Sequence, residues 1–271
     1  MDSRAYLVPH DFTSVGDAAA KKAVRFALQS NASVHFLHIV KSTSEKAAAT
    51  KKLEDIINGF KTTTAPKIDF HIHVEAGNIF TDIAKVADKI HASLIIMGTH
   101  GAKGMQKVFG SFVIKVITSA HAPFVIVQEK TAPVDTIRKI VFPINLNSET
   151  LQVSKIAGVL ATDFKSEVHV VAPKEKMLDL SQKLIIYSQL VKKELAKINV
   201  PVHIEFLEKT KAFHTQIIEY TKKINAELIA LTYHSDRMMP QFDPYSQSII
   251  TNEHQIPVLV INGKDAGNYF Y

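Results

Sequence analysis

Apolar and polar positions follow two rhythms along the chain, and the switch between them predicts alternating strands and helices. Ala5–Pro9 is a short apolar run of strand length. Ser14 is placed to cap the next helix, with Asp17 three residues on as a capping box. The inward face of that helix would carry Ala20, Val24, Ala27 and Leu28. Val34–Val40 reads as a second strand, followed by a long helix over about Glu45–Phe60. From Asp69 to Glu75 the alternation is strict: Phe70, Ile72 and Val74 against Asp69, His71 and His73, as on an edge strand with one wet face. Asn78–Ile90 reads as a helix, Ser93–Met97 as a buried strand, Ser111–Ser119 as the opening of a last helix and Phe124–Val127 as a fifth strand.

The plan then repeats at an offset of 134 residues. Tyr6-Leu7-Val8-Pro9 falls on Ile140-Val141-Phe142-Pro143, Val34-His35 on Val168-His169, and Ala122–Val127 on Ile256–Ile261. A period this long repeats a whole fold rather than a solenoid unit. The expected organisation is one domain over residues 1–130 and another over 137–271, joined by a polar linker at about Gln128–Thr136. Strands alternating with helices predict an α/β fold, with parallel sheets covered on both faces. The matching apolar last strands, Phe124–Val127 and Val258–Ile261, suggest that the halves pack as a pseudo-dimer. Further homodimerisation stays open.

Composition narrows the function classes. With no cysteine among 271 residues, thiol catalysis, disulfides and Cys-ligated zinc are excluded. No apolar run approaches membrane-spanning length and the first residues do not read as a signal peptide, so a cytoplasmic location and no membrane partner are expected. The net charge of +6 lies mostly in the first half, where 16 Lys and Arg face 11 Asp and Glu, against 16 and 15 in the second. That mild field favours an anionic ligand in the first half but is too diffuse for a nucleic-acid surface.

Glycine placement is the sharpest asymmetry. Gly98, Gly101, Gly104 and Gly110 lie between a buried strand and the helix opening at Ser111, with Lys103 and Lys107 among them. The carboxyl end of a parallel strand followed by a helix N-terminus is suited to a phosphate. The same residues would also serve an ordinary capped surface loop. Neither G-x-x-x-x-G-K-[ST] nor G-x-G-x-x-G is present, which disfavours P-loop and dehydrogenase chemistry.

Taken in order, Pro9-His10-Asp11-Phe12-Thr13, Leu37-His38-Ile39, Met97-Gly98-Thr99-His100-Gly101, Gly110-Ser111 and Ala122–Val127 resemble the universal stress protein family, and the doubled length its tandem members. The resemblance implies two tandem open five-stranded parallel-sheet domains, adenine-nucleotide α-hydrolase-like, in strand order 3-2-1-4-5. It also implies a stress-response sensor that binds ATP or AMP, with or without Mg, and an unidentified protein partner. The family's nucleotide pattern is G-x2-G-x9-G-[ST]. Here only eight residues separate Gly101 from Gly110, one too few.

By this resemblance Pro9 flanks the base, Asp11 lies at its adenine or ribose end, and Ile39 offers backbone groups to the adenine. Gly98 sits against the ribose, with Met97 and His100 beside it. Gly101, Gly110 and Ser111, with the amides of Phe112 and Val113, hold the phosphates. Asp11 could equally be a turn residue, and the Ile39 side chain plain core.

The second half departs from this set. Ile39 becomes Pro173, Gly98 becomes Thr232, Gly101 becomes Ser235, Gly110 becomes Pro244 and Ser111 becomes Tyr245. It is therefore expected to be degenerate and structural. Two other readings stand beside the sensor: a nucleotide-free interaction module, and a slow ATPase with His38 or His100 as a base. No other catalytic residue is indicated. His71 and His73, on one strand face, are either a metal pair or exposed strand residues.

Overall fold

The computed structural model describes residues 4–63, 67–99, 115–131, 136–144, 150–233 and 244–262. The first half runs β1 (Ala5–Pro9), α1 (Ser14–Ser30), β2 (Ser33–Val40), α2 (Lys46–Thr63), β3 (Phe70–Ala76), α3 (Ile79–Lys89), β4 (Leu94–Thr99), α4 (described over 115–119) and β5 (Phe124–Gln128). The second half runs β6 (Lys139–Pro143), α5 (Thr150–Phe164), β7 (Glu167–Pro173), α6 (Leu178–Ala196), β8 (Val202–Leu207), α7 (Phe213–Lys223), β9 (Leu228–Tyr233), α8 (Pro244–Ile250) and β10 (Val258–Asn262).

Two local expectations change at α1. Thr13, not Ser14, is its N-cap: the Thr13 hydroxyl accepts from the Gly16 N–H, while Ser14 is already helical. Asp17 turns toward His10, with Oδ1 3.2 Å from His10 Nε2, and completes no capping box. Leu28 is 49% exposed, whereas Ala19, Ala23 and Phe26 join Ala20, Val24 and Ala27 in the core. The run of alanines lets α1 lie close on the sheet. At its other end Asn31 caps α1 in the left-handed region, with φ 56°.

The ten strands form one sheet in the order β3-β2-β1-β4-β5-β10-β9-β6-β7-β8. Each half has the internal order 3-2-1-4-5, and every pairing within a half is parallel. The two expected five-stranded sheets are thus continuous. They join where β5 meets β10 antiparallel, Leu259 opposite Val125.

Helices cover both faces. On one, Ala20, Val24 and Phe26 of α1, Leu53 of α2, Ile156 of α5 and Leu184 of α6 pack on Tyr6, Val8, Phe36 and Val168. On the other, Ile83 of α3, Ile117 of α4, Ile217 of α7 and Ile249 of α8 pack on Leu7, Leu37, Ile95 and Val141. Each fully buried Val, Leu, Ile or Phe among these stabilises the fold by about 1.5–3 kcal/mol.

Gln128, expected in the linker, is instead the last residue of β5 and is buried. Its amide donates to the carbonyls of Ile250 (3.1 Å) and Asn252 (3.0 Å), so a polar side chain of one half ties down the loop after α8 of the other.

Candidate functional site

The order β2-β1-β4 places a topological switch between β1 and β4. After β1 the chain crosses one face of the sheet through α1, and before β4 it crosses the other through α3. The connections diverge at the carboxyl ends of these strands and leave a crevice, the ligand position of open α/β sheets.

Strand register puts apolar side chains at the rim of this crevice. Pro9 is level with Leu37 of β2, and Leu7 with Ile95 of β4, so Met97 is the residue level with Pro9. Pro9, Ile39 and Met97 are all half-buried. Ile39 packs on the same cluster as Ile79 and Phe80 of α3. β1 ends its pairing with β2 where the His10 N–H donates to the Leu37 carbonyl (2.8 Å). Backbone groups two residues apart face the same side of a strand. Ile39 therefore turns its N–H and C=O toward the side where β1 has already ended.

Gly98 stands where α1 crosses β4. A Cβ there would run into the Val15 carbonyl oxygen, so the close approach of the first turn of α1 requires glycine at this point.

The turn leaving β1 is tightly organised. Asp11 Oδ1 accepts from the Thr13 N–H (3.1 Å) and hydroxyl (2.6 Å), a local turn role that leaves Asp11 exposed. Phe12 has φ 62°, unusual for a bulky residue. Its N–H donates to His10 Nδ1 (3.0 Å), and its ring lies 4.3 Å from that of His38 with the Lys52 ammonium 5.1 Å away. His38 Nδ1 donates to the His10 carbonyl (2.7 Å). Burial lowers the pKa of His10 against the pull of Asp17 and Asp11, which favours the neutral imidazole. At the end of β5, Glu129 accepts from the Ser14 hydroxyl (2.7 Å) and closes this side of the turn.

Pro9, Asp11, Ile39, Met97 and Gly98 thus converge on one crevice. His100, Gly101, Gly110, Ser111, Phe112 and Val113 lie outside the described residues, as do Lys103 and Lys107.

The matching crevice of the second half repeats the pairing but not the donors. The Ile144 N–H donates to the Val171 carbonyl (2.9 Å), as His10 does to Leu37. Pro173 then ends β7 without an N–H, and α8 begins on Pro244, which has none either.

His71 and His73 do share a face of β3, and His35 of β2 joins them. The His35 and His71 rings stack at 4.2 Å, and His35 Nδ1 is 3.0 Å from His73 Nε2. Burial, then the two neighbouring imidazoles, lowers the His35 pKa to about 4, and burial lowers that of His73. The wet face expected of β3 is therefore partly a histidine stack, in which burial favours the neutral ring at His35 and His73.

A second cluster, Glu167, His169 and His203, was not expected from the sequence. Its members lie two and 34 residues apart, and strand register brings them together. The available signal was the repeat itself, which sets Glu167-Val168-His169 over Ser33-Val34-His35.

Residues 4–128 match the family model of the universal stress protein family. A universal stress protein of Methanocaldococcus jannaschii is 25% identical in an alignment of 143 positions that covers 45% of this chain and 81% of that protein. The fold of a universal stress protein from Archaeoglobus fulgidus matches with a TM-score of 0.75 at 18% identity, covering 97% of this chain and all of that one. A functionally unknown protein from Pseudomonas aeruginosa PAO1 matches with a TM-score of 0.67 at 17% identity, over 99% of this chain and 96% of that one.

Proposed function

Residues 4–128 belong to the universal stress protein family, and on that premise we propose that this protein is a stress-response regulatory protein that binds ATP or AMP in the crevice of its first half. The second half serves as a built-in structural partner. The observation that carries this reading is the rim of the crevice. Half-buried Pro9, Ile39 and Met97 meet there beside an Ile39 backbone that has outrun its neighbouring strand. A purine needs both features, an apolar slot for its faces and backbone polar groups for its edge.

In this reading Pro9 and Met97 flank the base and Gly98 brings the chain close to the ribose, with Asp11 and His100 beside it. Gly101, Gly110 and Ser111 hold the phosphates with the amides of Phe112 and Val113, the roles that the sequence resemblance gives them. Mg would accompany ATP through the phosphates. His10 and His38 already have backbone partners, which supports a binder rather than a catalyst. The second crevice, with Pro173 and Pro244 at positions that would have to donate, is read as nucleotide-free. No helix of the described residues is long and apolar enough to cross a membrane, which is compatible with action in the cytoplasm.

Denaturing freshly purified protein and resolving the supernatant by anion exchange tests this directly. One adenine nucleotide per chain is expected, and an empty preparation should take up ATP–Mg saturably in calorimetry. No heat up to millimolar nucleotide overturns the reading. It would favour a nucleotide-free interaction module, to which the one-residue-short glycine loop already points.

A further inference from the structure

We propose that Glu167, His169 and His203 form a binding site for a divalent transition-metal ion of the zinc class, at the opposite end of the sheet from the nucleotide crevice.

The site is built by register. β7 and β8 are parallel, with His169 directly beside His203. Glu167 precedes His169 by two residues and so shares its face of the sheet. The two imidazoles stack with centroids 4.8 Å apart and aim at one carboxylate. His169 Nε2 is 3.0 Å from Glu167 Oε1, and His203 Nε2 is 3.2 Å from Glu167 Oε2. All three ligand atoms lie within 4.8 Å of one another. Ligands at zinc distances around a tetrahedral ion stand about 3.4 Å apart. Small rotations of side chains that already converge would admit the ion.

The surroundings suit such an ion. His169 Nδ1 is 3.0 Å from the Tyr220 hydroxyl of α7, the outer hydrogen bond that orients a ligating imidazole through its far nitrogen. Hydrogen bonding from His169 chiefly, and the nearness of His203, keep the Glu167 carboxyl below its ordinary pKa and so ionised. Lys139 Nζ, 3.6 Å from Glu167 Oε1, is the competing cation. Its side chain is 36% exposed, so the ammonium can swing into water when an ion enters. Imidazole and carboxylate without thiolate suit zinc or cobalt(II), with water completing the shell. The ion would clamp the edge strand β8 to β7.

The molecule carries its own control. In the first half His35 and His71 occupy the places of His169 and His203 and stack in the same way, but Ser33 replaces Glu167. There His35 directs Nε2 to the Ser33 hydroxyl (3.1 Å) and Nδ1 to His73. The ring pair is common to both halves. In the second half one carboxylate reaches both rings, whereas in the first the Asp69 carboxylate is bonded to His71.

The experiment uses the full chain, freed of metal by a chelator and without nucleotide. It is titrated with Zn²⁺ by calorimetry and with Co²⁺ by visible absorption at neutral pH. One saturable ion per chain is expected. Glu167→Gln and His203→Ala should each weaken binding more than about tenfold, and Tyr220→Phe, acting through His169, by about tenfold. His71→Ala should leave binding unchanged. His203 is exposed, so its variant keeps the fold, and melting curves without metal check this. The proposal is overturned by wild-type protein that shows no saturable binding in the high-micromolar range, by undiminished binding in His203→Ala, or by loss in His71→Ala. None of these outcomes bears on nucleotide binding, since the two sites share no residue.

Discussion

Gly98 of β4 and Val15 of α1 touch backbone to backbone: a Cβ on Gly98 would stand 2.7 Å from the Val15 carbonyl carbon and 2.5 Å from its Cγ1. No flexible side-chain end is available to yield, so the helix itself would have to move. Gly98→Ala is expected to destabilise the protein by about 1–3 kcal/mol, the usual cost of overpacking, in urea unfolding at neutral pH. Loss of nucleotide binding in that variant would report a displaced α1 rather than a missing ribose contact. An alanine variant as stable as wild type would show that this crossing is looser than described.

Thr13 links the turn after β1 to α1, since its hydroxyl accepts from the Gly16 N–H and donates to Asp11 Oδ1. Thr13→Ala removes the cap and should cost about 1 kcal/mol. Ser14→Ala loses only the exposed hydrogen bond to Glu129 and should cost less than about half of that. Equal losses in the two variants, measured side by side by thermal melting, would refute the assignment of the cap to Thr13.

The joint between the halves includes the β5–β10 pairing and the Gln128 amide, beside Gln29 bonded to Ile137 and Phe164 and Thr131 bonded to Gln255. Gln128→Leu keeps the bulk of the side chain but leaves the Ile250 and Asn252 carbonyls without this donor in a buried setting. An expected loss of about 2–6 kcal/mol follows from two such acceptors at about 1–3 kcal/mol each. The halves should then unfold less cooperatively, which a broadened calorimetric transition would reveal. A small loss with an unchanged transition width would place the joint in the β5–β10 pairing and the α1–α5 contacts such as Phe26 on Phe164.

His35 should make stability depend on pH in a definite direction. Its ordinary pKa is 6.5, and in the fold burial and the neighbouring His71 and His73 bring it down to about 4, against the pull of Asp69. The unfolded chain therefore takes up a proton first as the pH falls. The stability held by the neutral ring is fully present above about 6.5 and is lost between there and about 4. Urea unfolding at intervals from neutral pH to pH about 5, above most carboxylate titration, should show wild-type stability falling more steeply than that of His35→Leu. Parallel curves would mean that the imidazole stack is charged or wet.

Much of the architecture is legible from hydrophobic spacing. The strict alternation from Phe70 to Val74 marks an edge strand, and the 134-residue repeat predicts that the order of one half recurs in the other. What spacing does not reveal are choices between neighbours of similar chemistry. Thr13 and Ser14 are both good caps, and the backbone angles of the turn decide between them. Leu28 has helical spacing but is left exposed at the end of α1. Gln128 reads as linker because it is polar, yet it is buried by two carbonyls that lie more than a hundred residues away. At the crevice, strand register sets Met97 level with Pro9 and leaves Ile39 beyond the end of β1. Gly98 has a packing requirement, invisible in sequence, that accounts for it without a ligand. The Glu167 cluster depends on parallel register, which no local pattern encodes.

Ile39 offers the cleanest separation of ligand contact from packing, because the repeat has already made the substitution. Pro173 occupies the corresponding place in β7, paired with Leu207 as Ile39 is with Glu75, and β7 keeps its register up to that residue. A proline is therefore sterically admissible at the end of such a strand, with its missing N–H turned to the side that has no further strand. Ile39→Pro should cost about 1 kcal/mol, chiefly from the smaller apolar contact with the cluster around Leu37. If the Ile39 N–H holds the adenine edge, ATP affinity should fall at least about tenfold, the worth of one good hydrogen bond in a buried site. Ile39→Val keeps the N–H and should bind almost as wild type does. Equal affinity in the proline and valine variants would remove Ile39 from the site and shift the base toward the half-buried face of Met97 and Pro9.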